Sequence, residues 1–277
     1  MLYRKIRSYI DDHFRSNEDK ILLIEGARQI GKSYIIRDVG TELYDNYVEI
    51  NFVEDDAGDK IFRNVRTTEE FYLNLSMVAG FKLDKYENTL VFIDEIQHYP
   101  QFLTMLKFLR QEHRYRFICS GSLLGIALKK TVSVPVGSII PKKMYQLDFE
   151  EFLIANDFGE DAIAHLRKSF EQKQPLAPEV HDKVLSLFKR YLLVGGMPDA
   201  VNEYLNSHNI VKVREAQESI RELYGVDASR YEEDAAKKLY IRRIYDMIPS
   251  QMENKKKRIV AKDIMDRKGD RFSNYKQ

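Results

Sequence analysis

The chain has 277 residues, of which 44% are hydrophobic and 31% are charged. This composition supplies a sizeable core and excludes a disordered or collagen-like chain. Cys119 is the only cysteine, which excludes an internal disulfide framework and a cysteine-based zinc site. The N-terminal segment lacks the apolar stretch of a signal peptide, and no run approaches the length of about 18 apolar residues that a membrane span needs. We therefore expect a soluble, cytoplasmic protein that does not bind membranes.

Charge is distributed unevenly along the chain, although the net charge is only +1. The segment from Lys237 to Gln277 contains 13 Lys or Arg residues and 5 Asp or Glu residues, so an acidic body precedes a basic tail. The tail includes Lys255-Lys256-Lys257-Arg258, with Tyr240, Tyr245, Phe272 and Tyr275 in the same part of the chain. Basic residues interleaved with aromatic ones can bind nucleic acid, and a solvated charged surface is the alternative interpretation.

The N-terminal half alternates between helical and strand patterns. Leu2, Ile6, Ile10 and Phe14 recur every four residues, as on one face of a helix. Strands are predicted at Ile21–Ile24, Tyr47–Phe52, Leu90–Ile93 and Arg116–Cys119, with a candidate fifth at Met144–Leu147, and helices at Ser33–Val39, Thr67–Val78 and Phe102–Gln111. Alternating strands and helices indicate an α/β fold, with a parallel sheet covered on both faces.

The pattern changes near residue 148. Asp148 and Glu151 have the spacing of a capping box, which opens a helix. From there to about residue 247 the chain is predicted to be mainly helical, with a turn at Gly195–Pro198. We therefore predict two domains, an α/β core over residues 1–147 and a helical domain with a basic tail over residues 148–277.

A phosphate-binding loop is predicted between the first strand and the next helix. Its residues are Gly26, Ala27, Arg28, Gln29, Ile30, Gly31, Lys32 and Ser33, which match the pattern G-x-x-x-x-G-K-[ST]. Glycines let the backbone curl so that successive N–H groups and a helix N-terminus point at phosphates. Lys32 adds a full positive charge and Ser33 a hydroxyl for Mg²⁺. Arg28 either contacts a phosphate or is solvated, and both interpretations stay open.

Two further predicted strands end in polar residues suited to this chemistry. Asp94 and Glu95 follow the apolar run Leu90–Ile93, at the sheet edge where ligands bind in open α/β folds. We expect Asp94 to hold Mg²⁺ and Glu95 to activate water as a general base. Ser120, at the end of the next strand, is the candidate for contacting the terminal phosphate or the water, and Ser122 is the alternative.

These motifs in this order resemble a family of prokaryotic AAA+-type ATPases. The similar segments are GARQIGKS, FIDEIQ, CSGSLL, LDFEEFL and YLLVGGMPDAV. The resemblance implies an additional-strand P-loop core, a helical or winged-helix segment, and binding of ATP and Mg²⁺ by Gly26, Gly31, Lys32, Ser33 and Asp94. It implies a catalytic role for Glu95, and Gln97 is expected to face the nucleotide as well. No Asn-Lys-x-Asp motif is present, which favours ATP over GTP.

The chain departs from that family in two places. Many relatives carry a basic residue after the glycine near position 137, where this chain has Gly137-Ser138. If that residue is an arginine finger in relatives, this chain lacks it or uses Lys142, Lys143 or a partner instead, and basal hydrolysis is expected to be very slow in its absence. Relatives also usually continue into a nuclease-like domain, whereas this chain ends at Gln277, so nuclease activity is not transferred to it.

We therefore predict a Mg²⁺-dependent ATPase that couples its nucleotide state to a conformational change or to a partner, which can be a protein or a second copy of the chain. The first alternative is a nucleotide-gated module that binds DNA or protein with negligible turnover. The second alternative is a P-loop small-molecule kinase, which would require an arginine-bearing lid.

Overall fold

The computed structural model describes residues 2–16, 18–51, 61–80, 83, 85–122, 137–229, 232 and 234–253. The chain divides into two compact units, residues 1–208 and residues 209–277. The first unit contains α1 (Lys5–Arg15), β1 (Ile21–Glu25), α2 (Lys32–Leu43), β2 (Asn46–Asn51), α3 (Thr68–Ala79), β3 (Thr89–Asp94), α4 (Pro100–Gln111), β4 (Arg116–Gly121), β5 (Ile139–Lys143), α5 (Phe149–Ala155), α6 (Glu160–Glu171), α7 (Pro178–Val194) and α8 (Pro198–Ser207). The second unit contains α9 (Ile210–Ala228) and α10 (Ala235–Glu253).

The five strands form one parallel sheet in the order β2-β3-β4-β1-β5. Strand β4 therefore lies between β1, which leads into the predicted phosphate loop, and β3, which ends at Asp94. The register pairs Ile24 of β1 with Ser120 of β4, and Ile93 of β3 with Cys119 of β4. The carboxyl ends of these three strands consequently meet at one edge of the sheet. The predicted α/β fold is confirmed. The additional strand of the predicted P-loop core is β4, which lies between β1 and β3.

Both faces of the sheet are covered, as the continuous apolar runs predicted. Along β3, Val91 and Ile93 belong to one buried cluster, while Leu90 and Phe92 belong to the cluster on the opposite face. The first cluster includes Phe71 and Tyr72 of α3 and Phe102 of α4. The second includes Ile10 of α1 and Ile35, Ile36 and Val39 of α2. Alternate side chains of a strand point to opposite faces, so every residue of β3 is buried.

The fifth strand is the one element of the sheet that was predicted wrongly. It spans Ile139–Lys143, whereas the sequence indicated Met144–Leu147. Pro141 and two lysines interrupt the apolar run, so the hydrophobic pattern of the sequence does not predict this edge strand. The N–H of Met144 donates to Glu25 O at 2.7 Å, which is the last contact of this pairing. Of the second predicted strand, Phe52 lies outside the described residues.

The described residues that follow β5 form helices and the connections between them, as predicted. The capping box is present, because Glu151 N donates to Asp148 Oδ1 at 2.8 Å and Asp148 N donates to Glu151 Oε2 at 3.1 Å. In the second unit, α9 and α10 pack together through Gly225 and Tyr245. None of the helices among the described residues is both long and apolar enough to span a bilayer. The proposed domain boundary at residue 147 stays a prediction.

Gly196, in the connection between α7 and α8, permits a close approach of two backbone segments. Its carbonyl accepts a hydrogen bond from Leu147 N at 2.8 Å, and the Tyr191 hydroxyl donates to Leu147 O at 2.8 Å. A Cβ atom on Gly196 would lie 2.1 Å from Leu147 O. This contact joins the segment after β5 to the connection before α8, so the predicted turn at residues 195–198 is also a packing site.

Replacing Gly196 with alanine should destabilise the first unit by about 1–3 kcal/mol, because the added methyl group must displace the backbone around Leu147. Urea or thermal unfolding measures the loss. Gly159→Ala is the matched control, since a Cβ atom there meets no described heavy atom within 4 Å, and it should cost less than about 1 kcal/mol. Equal losses in the two variants would contradict the close approach at Gly196.

Candidate functional site

The loop from Gly26 to Ser33 connects the buried strand β1 to α2. Gly31 is the N-cap residue of α2 and has φ 90°, a left-handed conformation that glycine adopts without strain. A Cβ atom on Gly26 would lie 2.5 Å from both Met144 O and Ile30 Cδ1. Gly31 is thus required by its left-handed backbone at the end of the loop. Gly26 is required by close packing at the start of the loop.

Arg4 supports the loop from outside and was not found from the sequence. Its Nη1 donates to Ile30 O at 2.8 Å and its Nη2 donates to Tyr145 O. The guanidinium is buried, and Nε lies 3.4 Å from Glu151 Oε2. A single arginine before an amphipathic helix does not belong to any sequence motif. Its link between the N-terminal segment and the loop is therefore visible only in the fold.

Lys32 is buried inside the loop, with a residue exposure of 5%. Its Nζ donates to Ala27 O at 2.8 Å and to Gly26 O at 3.1 Å. Within the described residues, no carboxylate lies within ion-pair distance of this ammonium group. Burial lowers the pKa of Lys32, although the negative charges of Glu95 and Asp94 oppose the shift. An anion inside the loop would stabilise the charged form of this amine.

Asp94 collects hydrogen bonds from three elements at the carboxyl edge of the sheet. Ser33 Oγ donates to Asp94 Oδ2 at 2.7 Å, and Asn51 Nδ2 donates to the same oxygen at 3.3 Å. Ser120 Oγ donates to Oδ1. Burial raises the pKa of Asp94, and the hydrogen bonds from Ser120 and Ser33 partly offset this effect. The two predicted metal ligands, Ser33 and Asp94, are therefore adjacent.

Glu95 lies next to this cluster and has φ 51°, a left-handed conformation that is uncommon for a non-glycine residue. Gln97 Nε2 donates to Glu95 Oε2, and Ser122 Oγ donates to the same oxygen at 2.9 Å. Burial alone would raise the pKa of Glu95. The Gln97 hydrogen bond, the charge of Lys32 and the Ser122 hydrogen bond outweigh burial and hold that pKa below its ordinary value.

The two serines at the end of β4 contact different carboxylates. Ser120 binds Asp94, whereas Ser122 binds Glu95 and accepts a hydrogen bond from Arg28 Nε at 3.4 Å. Arg28, in the loop, is therefore linked to Glu95 through one hydroxyl group. Asn51 was missed by sequence reasoning, because a single asparagine at a strand end becomes informative only once the strand order places β2 beside β3.

The lysines considered as substitutes for a missing arginine lie on β5. Lys142 Nζ is 3.9 Å from the centroid of the Tyr9 ring, on α1, and Lys143 is exposed. Ser138, in the Gly137-Ser138 pair, accepts a hydrogen bond from Ile21 N through its carbonyl oxygen at 2.9 Å. The basic run Lys255-Lys256-Lys257-Arg258 lies outside the described residues.

A cleft of about 450 Å³ opens beside the loop. It is lined by Leu2, Arg4, Gln29, Gly31, Tyr34, Ile35, Pro198, Asp199 and Asn202. The cleft thus combines apolar side chains with polar groups from the start of α8. Because Gly31 belongs both to the cleft and to the loop, one extended ligand can reach both.

Comparison with known proteins matches the chain to two family models. Residues 18–153, just under half of the chain, match the family model of the AAA domain. Residues 185–277 match a family described as a domain of unknown function (DUF8612). No match was found among curated proteins.

Solved structures are similar to the chain at low sequence identity, one of them with a TM-score above 0.5. A Walker-type ATPase of Pyrococcus abyssi is 15% identical, with a TM-score of 0.51, over 93% of this chain and 87% of that one. AMPPCP-bound DnaA from Aquifex aeolicus is 14% identical, with a TM-score of 0.43, over 91% of this chain and 78% of that one. The fold and the AAA-domain match together support an ATP-binding P-loop ATPase as the general class.

Proposed function

We propose that the protein hydrolyses ATP with the help of Mg²⁺ and couples its nucleotide state to a change in conformation or partner binding. The observation that carries this proposal is the convergence of four side chains at one sheet edge. Lys32 lies buried in the loop, Ser33 donates to Asp94 at 2.7 Å, and Glu95 follows directly. Keeping a buried ammonium group beside the buried carboxylate of Asp94 and the half-buried carboxylate of Glu95 costs free energy. This cost favours a site that binds a charged ligand.

The loop supplies the phosphate-binding part of this function. Backbone N–H groups at the start of α2 and the ammonium group of Lys32 would bind the phosphates. Ser33 and Asp94 provide hydroxyl and carboxylate oxygens, which are the ligands that Mg²⁺ prefers. When bound there, Mg²⁺ would neutralise charge on the outer phosphates.

Hydrolysis requires a group that accepts a proton from water, and Glu95 is our candidate. The Glu95 carboxylate is ionised at neutral pH and is therefore available as a proton acceptor, while its lowered pKa makes it a weaker base than an ordinary glutamate. The water oxygen would form a bond to the γ-phosphorus while the bond to the bridging oxygen of ADP breaks. One water proton would move to Glu95, and ADP would leave with the bonding electron pair.

The cleft beside Gly31 would hold the nucleoside. Leu2 and Pro198 offer apolar surface to a base, and Asp199 and Asn202 offer polar groups to its edge or to the sugar. A nucleotide in this position would contact α2 and the start of α8 together. The presence or absence of the γ-phosphate would then change how α8 packs against α2. Such a change would couple the nucleotide state to the conformation of the protein.

Turnover of the isolated chain should be slow. An arginine finger contributes on the order of 10³–10⁵ in rate, and the lysines of β5 lie against Tyr9 or in solvent rather than in the described site. We propose that a protein partner or a second copy of the chain supplies this charge.

A second candidate function is a nucleotide-gated module that binds DNA with negligible turnover. The observation that favours it is the exposure of Lys237, Lys238, Arg242 and Arg243 on α10. Salt-dependent binding of duplex DNA, together with ATP binding without phosphate release, would support this alternative. Phosphate release without an added acceptor would argue against it, and also against a small-molecule kinase.

Lys32→Ala should abolish binding of ATP with Mg²⁺, because it removes a full positive charge that is buried inside the loop. Titration calorimetry measures the affinity. Lys168→Ala is the matched control, since Lys168 is exposed on α6, and it should leave the affinity within twofold of the parent. Unchanged affinity in Lys32→Ala would reject the loop as the phosphate site.

Glu95→Gln should retain ATP binding and lower turnover by about 10²–10⁴, which is the contribution typical of a general base. The amide keeps the shape of the side chain but accepts a proton poorly. Phosphate release under single-turnover conditions measures the effect, and exposed Glu171 supplies the control variant Glu171→Gln. Hydrolysis at the parental rate in Glu95→Gln would remove Glu95 from the mechanism.

A further inference from the structure

Gln97 has an unusual environment beside the proposed catalytic carboxylate. It lies in the 3-10 turn Ile96–His98, directly after β3, with an exposure of 8%. Its Nε2 donates to Glu95 Oε2 and to Ser122 Oγ, the latter at 3.2 Å. Its Oε1 is fully buried and accepts no hydrogen bond from any described residue. Buried side-chain oxygens are nearly always hydrogen-bonded, so this one indicates a place for water or ligand.

The orientation of this amide is fixed by its neighbours. Nε2 faces two acceptors, the Glu95 carboxylate and the Ser122 hydroxyl. The opposite orientation would set the amide oxygen against a carboxylate oxygen, which is repulsive. Ser122 gives its own proton to Glu95, so its oxygen serves as an acceptor for both Gln97 and Arg28. Oε1 of Gln97 is consequently an acceptor in this network to which no described residue donates a hydrogen bond.

The two carboxylate oxygens of Glu95 differ in their hydrogen bonds to the described residues. Both donors, Gln97 and Ser122, bind Oε2, while the described residues give no hydrogen bond to Oε1. Two acceptor oxygens on hydrogen-bonded neighbours therefore remain, Oε1 of Glu95 and Oε1 of Gln97. A water molecule has two protons, and donating both to these oxygens would leave its lone pairs for attack on phosphorus.

We propose that Gln97 is a catalytic residue that holds the attacking water together with Glu95, and that Ser122 is the positioning residue that orients both side chains. This inference rests on the proposed ATP hydrolysis. The water proton on Glu95 Oε1 is the one transferred to the carboxylate as the new bond to phosphorus forms. The proton held by Gln97 Oε1 remains on the inorganic phosphate product, so the amide accepts a hydrogen bond but no proton.

Gln97→Met tests this role, because methionine has a similar length but provides neither the donor nor the acceptor. Single-turnover phosphate release should fall at least tenfold and by no more than the roughly 10²–10⁴-fold that general base catalysis contributes, while the affinity for ATP with Mg²⁺ stays within twofold. In a Glu95→Gln background the same substitution should cause less than a threefold further loss, since the two side chains act on one water. Gln111→Met, on the exposed end of α4, is the control.

A second measurement does not depend on turnover. ADP with aluminium fluoride mimics the transferred phosphoryl group together with an in-line water, whereas ADP with beryllium fluoride mimics the bound γ-phosphate without that water. Transition-state mimics bind tightly only when the transition-state contacts are intact. Gln97→Met should therefore weaken the aluminium fluoride complex at least tenfold and leave the beryllium fluoride complex within twofold.

The outcomes separate this inference from the proposed function. If the parent protein neither binds ADP nor releases phosphate, the proposed function fails and the inference fails with it. Parental turnover together with an unaffected Gln97→Met, or equal weakening of the two fluoride complexes, rejects the inference alone. If Gln97→Met does not fold, Gln97→Glu takes its place, because it keeps the size but sets a second negative charge beside Glu95. Turnover of Gln97→Glu within twofold of the parent would then overturn the role of Gln97.

Discussion

The hydrogen bond from Ser33 to Asp94, 2.7 Å long, is the contact on which the candidate site depends. It joins the start of α2 to the end of β3 through two residues that are 61 positions apart in the sequence. The sheet makes the contact possible because its strands are parallel and end at one edge, with β4 between β1 and β3. Every other group at the site, including Lys32 and Glu95, takes its position from this edge.

Buried charge at this edge is a cost that the fold carries. Burial raises the pKa of Asp94 and lowers the pKa of Lys32, so each group loses part of its preference for the charged form. The left-handed backbone of Glu95 adds strain of the kind that clusters at functional sites. A triphosphate with Mg²⁺ would offset both charges at once, since Lys32 would bind its anionic oxygens and Asp94 would hold its cation. Preorganised charges of this kind are the main means of stabilising a transition state in phosphoryl transfer.

Much of this arrangement could be predicted from local pattern. Local patterns of apolar runs and turn residues predict four of the five strands, the glycine-bearing loop before α2, the capping box at Asp148 and the turn before α8. Strand β5 was missed because Pro141 and two lysines mask an edge strand that is held by pairing rather than by burial. The sequence does not predict the roles of Arg4 and Asn51 or the separate contacts of Ser120 and Ser122. Each of these depends on which strands and segments become neighbours in three dimensions.

The most direct test of the site is an experimental structure of the protein with Mg²⁺ and a non-hydrolysable ATP analogue. The outer phosphates should lie in the loop, with Lys32 Nζ turned from the carbonyls of Gly26 and Ala27 toward them, and with the metal ion bound at Ser33 beside Asp94. The base should occupy the cleft between α2 and the start of α8. A nucleotide bound elsewhere, or a metal ion remote from Asp94 with the loop unchanged, would contradict the proposed ATP site.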